Sequence, residues 1–189
     1  MKQPQQKAPG RARYFPHLAG SLMLCAAPLM VFVGTWEGEE QFVVYADKLA
    51  GGLPTVCRGL TKHVTTTPIV VGQRWSKAKC DAEEGAAMER VQTALARCFR
   101  VLPPQQVFDA TSSHAWNLGA PATCGSGAMA AFNRGDWERG CKRLSKGDDG
   151  RIVWSYTSTT DPATGAKVHH FVQGLANRRG AETKLCLSS

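Results

Sequence analysis

Residues 36–47 read Trp36-Glu37-Gly38-Glu39-Glu40-Gln41-Phe42-Val43-Val44-Tyr45-Ala46-Asp47. A second short run follows and reads Gly51-Gly52-Leu53-Pro54-Thr55-Val56-Cys57-Arg58-Gly59. The valines, the tyrosine and the threonine favour strands, and the glycines and the proline favour a turn. This region is therefore expected to form short strands that present acidic and hydroxyl side chains.

Glu37 and Asp47 are ten residues apart and lie in different surroundings. Hydrolysis of a glycosidic bond needs one protonated carboxyl group for the leaving oxygen, and one ionised carboxylate that activates water or stabilises the sugar cation. Apolar surroundings favour the first and wetter surroundings the second. Glu37 follows an apolar run, Asp47 lies in a polar turn region, and the Thr55 hydroxyl could hold the water. The spacing alone equally fits two solvated surface acids.

The rest of the chain is predicted to be mostly helical. Ser76 can cap a helix that runs to about residue 99, and a second helix that begins near Pro104 should stop at Gly119. Two short helices, a loop region with room for a hairpin and a final helix are expected at residues 125–134, 137–144, 145–168 and about 171–185. Strands in one part and helices in another indicate an α+β fold, mainly helical, with a small N-terminal β lobe and a long connecting helix. A polymer could bind in the cleft between two such lobes.

The N-terminus has the layout of a secretory signal or a signal anchor. Residues 1–17 are basic, no acidic residue occurs among the first 36, and an apolar run extends from Leu18 to Val33. The basic tail is expected to stay in the cytoplasm while the rest is exported. The run is slightly short for a membrane-spanning helix, which predicts a weak anchor, and a cleaved signal peptide is the alternative. The domains are expected to be a tail-and-anchor segment at 1–34 and a folded domain at 35–189.

Seven cysteines are present, and one of them, Cys25, lies in the apolar run. The other six lie in the part expected to be exported, at Cys57, Cys80, Cys98, Cys124, Cys141 and Cys186. An oxidising compartment favours three disulfides among them, and the sequence does not choose the pairing. Their wide spacing argues against a zinc site, and no metal or other cofactor is expected.

The formal net charge of +8 attracts the protein to polyanions, which include nucleic acid, anionic lipid and an acidic cell wall. No basic-aromatic motif supports a nucleic-acid partner, and no glycine-rich phosphate loop is present. Nucleic-acid binding is therefore not expected.

Four motifs in order resemble the phage-type lysozymes, glycoside hydrolase family 24. The first combines Glu37-Gly38, Tyr45-Ala46-Asp47 and Thr55-Val56-Cys57-Arg58-Gly59. The second is Ser113-His114-Ala115-Trp116-Asn117-Leu118-Gly119. The third is Cys124-Gly125-Ser126 with Asn133-Arg134-Gly135-Asp136-Trp137, and the fourth is Gly174-Leu175-Ala176-Asn177-Arg178-Arg179-Gly180-Ala181-Glu182. The resemblance covers about residues 35–187.

This resemblance implies a lysozyme-like fold and a monomeric muramidase that hydrolyses the β-1,4 bond between N-acetylmuramic acid and N-acetylglucosamine in peptidoglycan. Glu37 would be the general acid, and Asp47 and Thr55 would manage a water that inverts the anomeric carbon. Arg178 matches a helix arginine near the acid, and Asn117 matches an amide of the cleft. A surface arginine and a helix C-cap are the alternatives for these two positions.

The match departs from the family pattern at three places. The spacing between the two carboxylates is one residue longer, so Glu39 and Glu40 remain alternative acids. The spacing from Asp47 to Thr55 is two residues longer. Leu60 stands where the family often has a histidine, which removes a common ion pair.

The resemblance and the apolar run together predict an endolysin of the signal-arrest-release kind. Residues 18–34 would anchor it in the host inner membrane with the N-terminus cytoplasmic, and release to the periplasm would start host lysis. Cys25 is a candidate regulatory thiol that could exchange into a disulfide after release, with Cys57 as one partner; an idle membrane cysteine is the alternative. The competing function is a non-catalytic peptidoglycan-binding module anchored at the membrane, against which the three intact candidate catalytic side chains argue.

Overall fold

The structure, a computed structural model, describes residues 22–48 and 51–188. The tail at 1–17 and the start of the apolar run at 18–21 lie outside the described residues. The elements are, in chain order, α1 (Ala27–Gly34), β1 (Gln41–Asp47), β2 (Leu53–Cys57), β3 (Leu60–Thr61), α2 (Lys77–Ala96), α3 (Gln105–Leu118), α4 (Ala120–Cys124), α5 (Gly127–Phe132), α6 (Trp137–Lys142), β4 (Tyr156–Thr160), β5 (Lys167–Phe171) and α7 (Gln173–Leu187).

The first three strands form an antiparallel sheet in the order β1-β2-β3, which we call the β lobe. The register between β1 and β2 shifts between Gln41 and Tyr45. Val44 leaves the ladder there, and its N–H donates to the carbonyl of Gln73 at 2.9 Å. A bulge of this kind inserts residues into one strand without a partner in the other. It gives β1 room for the longer spacing between the two acidic residues.

Helix α2 connects the two lobes of the molecule. Ser76 caps it as predicted, since its hydroxyl accepts a hydrogen bond from the N–H of Lys79 at 3.2 Å. Twenty residues give the helix a length of about 30 Å. Cys80 near its start and Ala87 near its middle belong to the core of the β lobe, and Leu95 near its end belongs to the core of the helices that follow. The predicted α+β fold with a connecting helix is confirmed.

Helices α3 to α7 form the second lobe, which we call the helical lobe. In its core, the ring of Phe99 lies 6.2 Å from that of Phe108 and 5.9 Å from that of Phe132. Helix α3 is almost wholly buried in this lobe and ends at Gly119, as predicted. The φ of Gly119 is 87°, a conformation that side chains disfavour, so glycine suits this helix end.

The loop region predicted at 145–168 contains one strand of an exposed antiparallel hairpin, β4–β5. Tyr156 and Phe171 are paired across it with ring centroids 5.7 Å apart. The hairpin leads directly into α7, whose start at Gln173 lies close to the predicted position.

The second half of the apolar run folds onto the domain as α1. Leu29 and Val33 are buried there against Met88 of α2, whereas Val31 on the same helix is 70% exposed. Within the described parts of the chain, no helix is long and apolar enough to cross a membrane.

Three disulfides use the six cysteines of the expected exported part. The pairs are Cys57–Cys80, Cys98–Cys124 and Cys141–Cys186. The first ties β2 to α2, and the last ties α6 to α7. Cys25 stays a free thiol.

Candidate active site

Glu37 lies in the bend between α1 and β1, next to Gly38. Its carboxylate accepts a hydrogen bond from Arg178 of α7, with 2.8 Å between Nη1 and Oε1. The arginine side chain is 4% exposed and the glutamate 20%. The two residues are 141 positions apart, so this ion pair joins the start of the β lobe to the last helix of the helical lobe. The structure thus brings together two predicted site residues.

Glu39 and Glu40, the two alternative acids, have other surroundings. Glu39 is exposed to solvent. Glu40 lies 3.5 Å from Arg58, and Arg58 makes a second ion pair at 3.0 Å with buried Glu84. Neither of these glutamates pairs with Arg178, and this distinguishes Glu37 from both.

Asp47 and Thr55 are neighbours across the β1–β2 ladder. Tyr45 is the Cα partner of Thr55 and Leu53 that of Asp47, so the two site residues project from the same face of the sheet. Diagonal neighbours of this kind have Cα atoms about 7–8 Å apart. Thr55 is buried, and its hydroxyl donates to the carbonyl of Leu53 at 3.0 Å.

Two other positions from the sequence analysis have clear locations. Asn117 is exposed at the end of α3, two residues before the glycine that ends the helix. Leu60 is fully buried beside Val56 in the core of the β lobe. An apolar residue therefore fills the place in which the family pattern has a histidine.

A buried network lies behind Arg178, and the sequence analysis missed its role. Glu182 accepts hydrogen bonds from Arg178, Arg179 and Ser113 at 3.3, 2.8 and 2.8 Å. Glu182, Arg179 and Ser113 are fully buried. The sequence contained them in two of the quoted motifs, but helical spacing does not reveal that such charges face a core.

Burial shifts the pKa values in this network. Burial, with help from the charges of Arg179 and Arg178, lowers the pKa of His114 to about 3, so this histidine is neutral. Burial also lowers the pKa of Arg179 to about 10, which leaves it protonated at neutral pH. Burial raises the pKa of Glu182, against the two arginines and Ser113, which lower it. The His114 ring accepts or donates one hydrogen bond with Thr123 at 2.9 Å.

Cys25 is partly buried between α1 and α2. Its Sγ lies 3.2 Å from the carbonyl of Gly85 and donates to it. Burial and the nearby Glu89 raise the pKa of this thiol. Disulfide exchange needs the thiolate, so this position disfavours it. Cys57, the candidate exchange partner, is bonded to Cys80, and the regulatory role of Cys25 stays a prediction.

Two cavities are found elsewhere on the described part of the protein. One of about 610 Å³ is lined by residues that include Arg143, Trp154 and Tyr156, and the Trp154 ring packs edge-on against His114 at 5.5 Å. The other, of about 620 Å³, lies between α1 and α2. The linings of these two cavities do not include the three candidate catalytic residues. Within residues 22–48 and 51–188, no group of three or more His, Cys, Asp or Glu side chains is arranged to hold a metal ion.

A two-lobed α+β fold, with one acidic residue at the lobe junction and a second on the adjoining sheet, has the two carboxyl groups that a glycoside hydrolase needs. Comparison with known proteins gives the family. Residues 34–182 match the family model described as phage lysozyme, and the chain therefore belongs to the phage lysozyme family. It is a lysozyme, a glycoside hydrolase that acts on peptidoglycan, and the resemblance found in the sequence is confirmed.

Among curated proteins, the chain is similar to a protein named SAR-endolysin from Pseudomonas phage phiKMV. The two are 28% identical over 151 residues, which is 80% of this chain and 81% of the relative. Among solved structures, it is similar to the muramidase domain of SpmX from Asticaccaulis excentricus, with TM-score 0.68, 20% identity, and coverage of 88% of this chain and 99% of that one. It is also similar to an endolysin from Escherichia coli O157:H7 phage FAHEc1, with TM-score 0.69, 22% identity, and coverage of 89% and 96%. At these identities the structural likeness shows a shared fold.

Proposed function

We propose that the protein is a monomeric endolysin that cleaves the β-1,4 bond between N-acetylmuramic acid and N-acetylglucosamine, and that Glu37 is its general acid. The observation that carries this proposal is the ion pair between Glu37 and Arg178. It fixes one carboxyl group where the two lobes meet. The name of the phage phiKMV relative supports the endolysin role.

In the proposed reaction, Glu37 gives its proton to the glycosidic oxygen as the bond to the anomeric carbon breaks. A water attacks that carbon from the opposite face and loses a proton to Asp47. The Thr55 hydroxyl already donates its own hydrogen to Leu53, so its oxygen is left to accept one from the water. Two acceptors, Asp47 and Thr55, then orient a lone pair of the water toward the sugar.

Two further residues would hold the partners of this reaction in place. Arg178 would orient the Glu37 carboxyl through its hydrogen bond. Asn117 would position the glycan from the exposed end of α3. Neither residue transfers a proton in this scheme.

The proposal is tested by replacing the three neighbouring glutamates one at a time. Release of reducing ends from purified peptidoglycan should fall by about 10²–10⁴-fold in Glu37→Gln. Glu39→Gln, which alters an exposed acid in the same bend, should keep nearly full activity. Glu40→Gln removes an ion pair and serves as a second control, with folding checked by circular dichroism. Full activity in Glu37→Gln would refute the assignment, and binding without turnover by the unmodified protein would indicate a non-catalytic wall-binding module.

We also propose that residues 18–34 first anchor the protein in the host inner membrane, and that release delivers it to the periplasm. The apolar composition of α1 supports this, because Val31 is left facing solvent while Leu29 and Val33 are buried. The same helix would exchange lipid for the protein core on release.

The full chain expressed in bacteria should sediment with the membranes at first and later appear in the soluble periplasmic fraction. Sequencing of the released protein should find its N-terminus intact. A soluble protein from the outset would contradict the anchor, and a cut N-terminus would indicate a cleaved signal peptide instead.

A further inference from the structure

We propose that Glu182 and Arg179 are positioning residues that balance the charge on Arg178 and so set the pH range in which the enzyme works. The inference rests on the proposed role of Glu37 as general acid. Both residues are fully buried, and both would act through Arg178.

Arg178 lies between two carboxylates. Its Nη1 donates to Glu37 at 2.8 Å, and its Nε donates to Glu182 at 3.3 Å. The same Oε1 atom of Glu182 also accepts from Arg179 and from the hydroxyl of Ser113, both at 2.8 Å. Three donors on one oxygen are the surroundings of an ionised carboxylate.

Few charged groups surround Glu182, and those that contact it are buried. Arg178 and Arg179 face it from its own helix, and α3 contributes Ser113 and His114, the latter uncharged because burial lowers its pKa to about 3. The charged side chains of α6, the other helix packed on α7, are solvent-exposed and form surface ion pairs: Glu138, Arg139 and Lys142. Water and salt screen buried charges weakly. The buried charges linked to Glu37 through Arg178 are therefore those of two arginines and one glutamate.

This balance has a consequence for catalysis. A cation next to a general acid opposes protonation of that acid. Glu182 offsets the charge of Arg178, whereas Arg179 adds to it. A general acid loses activity as the pH rises and removes its proton, which produces the alkaline limb of the pH–activity profile. The two buried residues should move that limb in opposite directions.

The test is a charge-balanced set of variants, each assayed for kcat/KM against pH on solubilised peptidoglycan. Glu182→Gln should move the alkaline limb to lower pH, and Arg179→Met should move it to higher pH. Removing one buried charge that acts on Glu37 through the Arg178 guanidinium predicts a shift on the order of one pH unit. The double variant Arg179→Met/Glu182→Gln restores the charge balance and should bring the limb back to its original position.

Asp148→Asn is the charge-matched control, because Asp148 is half exposed and pairs with Arg139 and Arg143 on the surface. It should leave the limb in place. Circular dichroism and thermal melting establish that each variant folds. If Glu182→Gln is too unstable to assay, Arg179→Met and the double variant still test the inference, because only the former should shift the alkaline limb.

Identical alkaline limbs in all these variants, or shifts of the same sign in both single variants, would overturn the inference. Such a result would leave the proposed function intact if Glu37→Gln is inactive. Full activity in Glu37→Gln would remove the proposed function first.

Discussion

Arg178 is buried and must satisfy several hydrogen-bond partners at once. It is 3% exposed, yet its guanidinium bonds to Glu37, to Glu182 and, at 3.4 Å, to the carbonyl of Ser113. The planar group carries five N–H donors in a fixed fork, so it can serve partners on different sides. A lysine has the charge without the fork.

Replacing Arg178 with lysine and with glutamine separates charge from geometry. We expect kcat/KM to fall on the order of ten-fold or more in Arg178→Lys, because the ammonium cannot bridge both carboxylates. The value of kcat/KM should fall further in Arg178→Gln, since both carboxylates lose the cation. Equal activity in Arg178→Lys and the unmodified protein would show that the bridge has no catalytic role.

The sequence was informative about some site residues and silent about others. Glu37, Asp47 and Thr55 could be selected from their local surroundings and from a resemblance that the family comparison confirmed. Their catalytic roles stay predictions. Glu182 could not be selected, because a glutamate three and four residues from two arginines has the pattern of a surface ion pair. Only the packing of α7 on α3 shows that these charges are buried.

At the scale of elements, local rules worked where the cause is local. Ser76 marks the start of α2 and Gly119 the end of α3. Both ends were predictable because a hydroxyl cap and a positive φ depend on few neighbours. Helix α1 is different, since an apolar run has the same sequence whether its partner is lipid or protein. The disulfide pairing could not be predicted from the sequence either, because it depends on which elements meet in space.

Helix α1 offers a prediction about packing. Leu29 is 1% exposed and lies against Met88, so Leu29→Ala should lower the free energy of unfolding by about 2–5 kcal/mol. Val31→Ala on the same helix should change it by less than about 0.5 kcal/mol, because that side chain faces solvent. Urea denaturation followed by circular dichroism measures both. Similar values for the two variants would mean that α1 does not pack on the domain in solution.

At the scale of the whole molecule, stability should depend on pH through His114. This residue is fully buried, and its pKa falls from the ordinary 6.5 to about 3. Between pH 3 and 6.5, His114 is protonated in the unfolded chain but not in the folded protein. The free energy of unfolding therefore rises with pH in this range. The contribution is complete above pH 6.5 and is lost as the pH falls toward 3, about 5 kcal/mol in all.

Urea denaturation across this pH range tests the effect. His114→Asn, which cannot titrate there, should show a shallower decline than the unmodified protein. His63→Asn changes an exposed histidine and is the matched control. The same slope in all three proteins would mean that His114 takes up a proton in the folded state.

The two lobes contribute different parts of one proposed reaction. The acid is held by an arginine of the helical lobe, and the water would be held by two residues on one face of the β-lobe sheet. This division predicts direct attack of water on the anomeric carbon, without a covalent sugar–enzyme intermediate.

The configuration of the newly formed reducing end tests this most directly. Proton NMR of a soluble β-1,4-linked peptidoglycan fragment, recorded in the first minutes of hydrolysis, distinguishes the two anomers before they interconvert. The account predicts that the α anomer appears first. Initial release of the β anomer would contradict it, because retention requires a nucleophile on the enzyme or the substrate in place of the water held by Asp47 and Thr55.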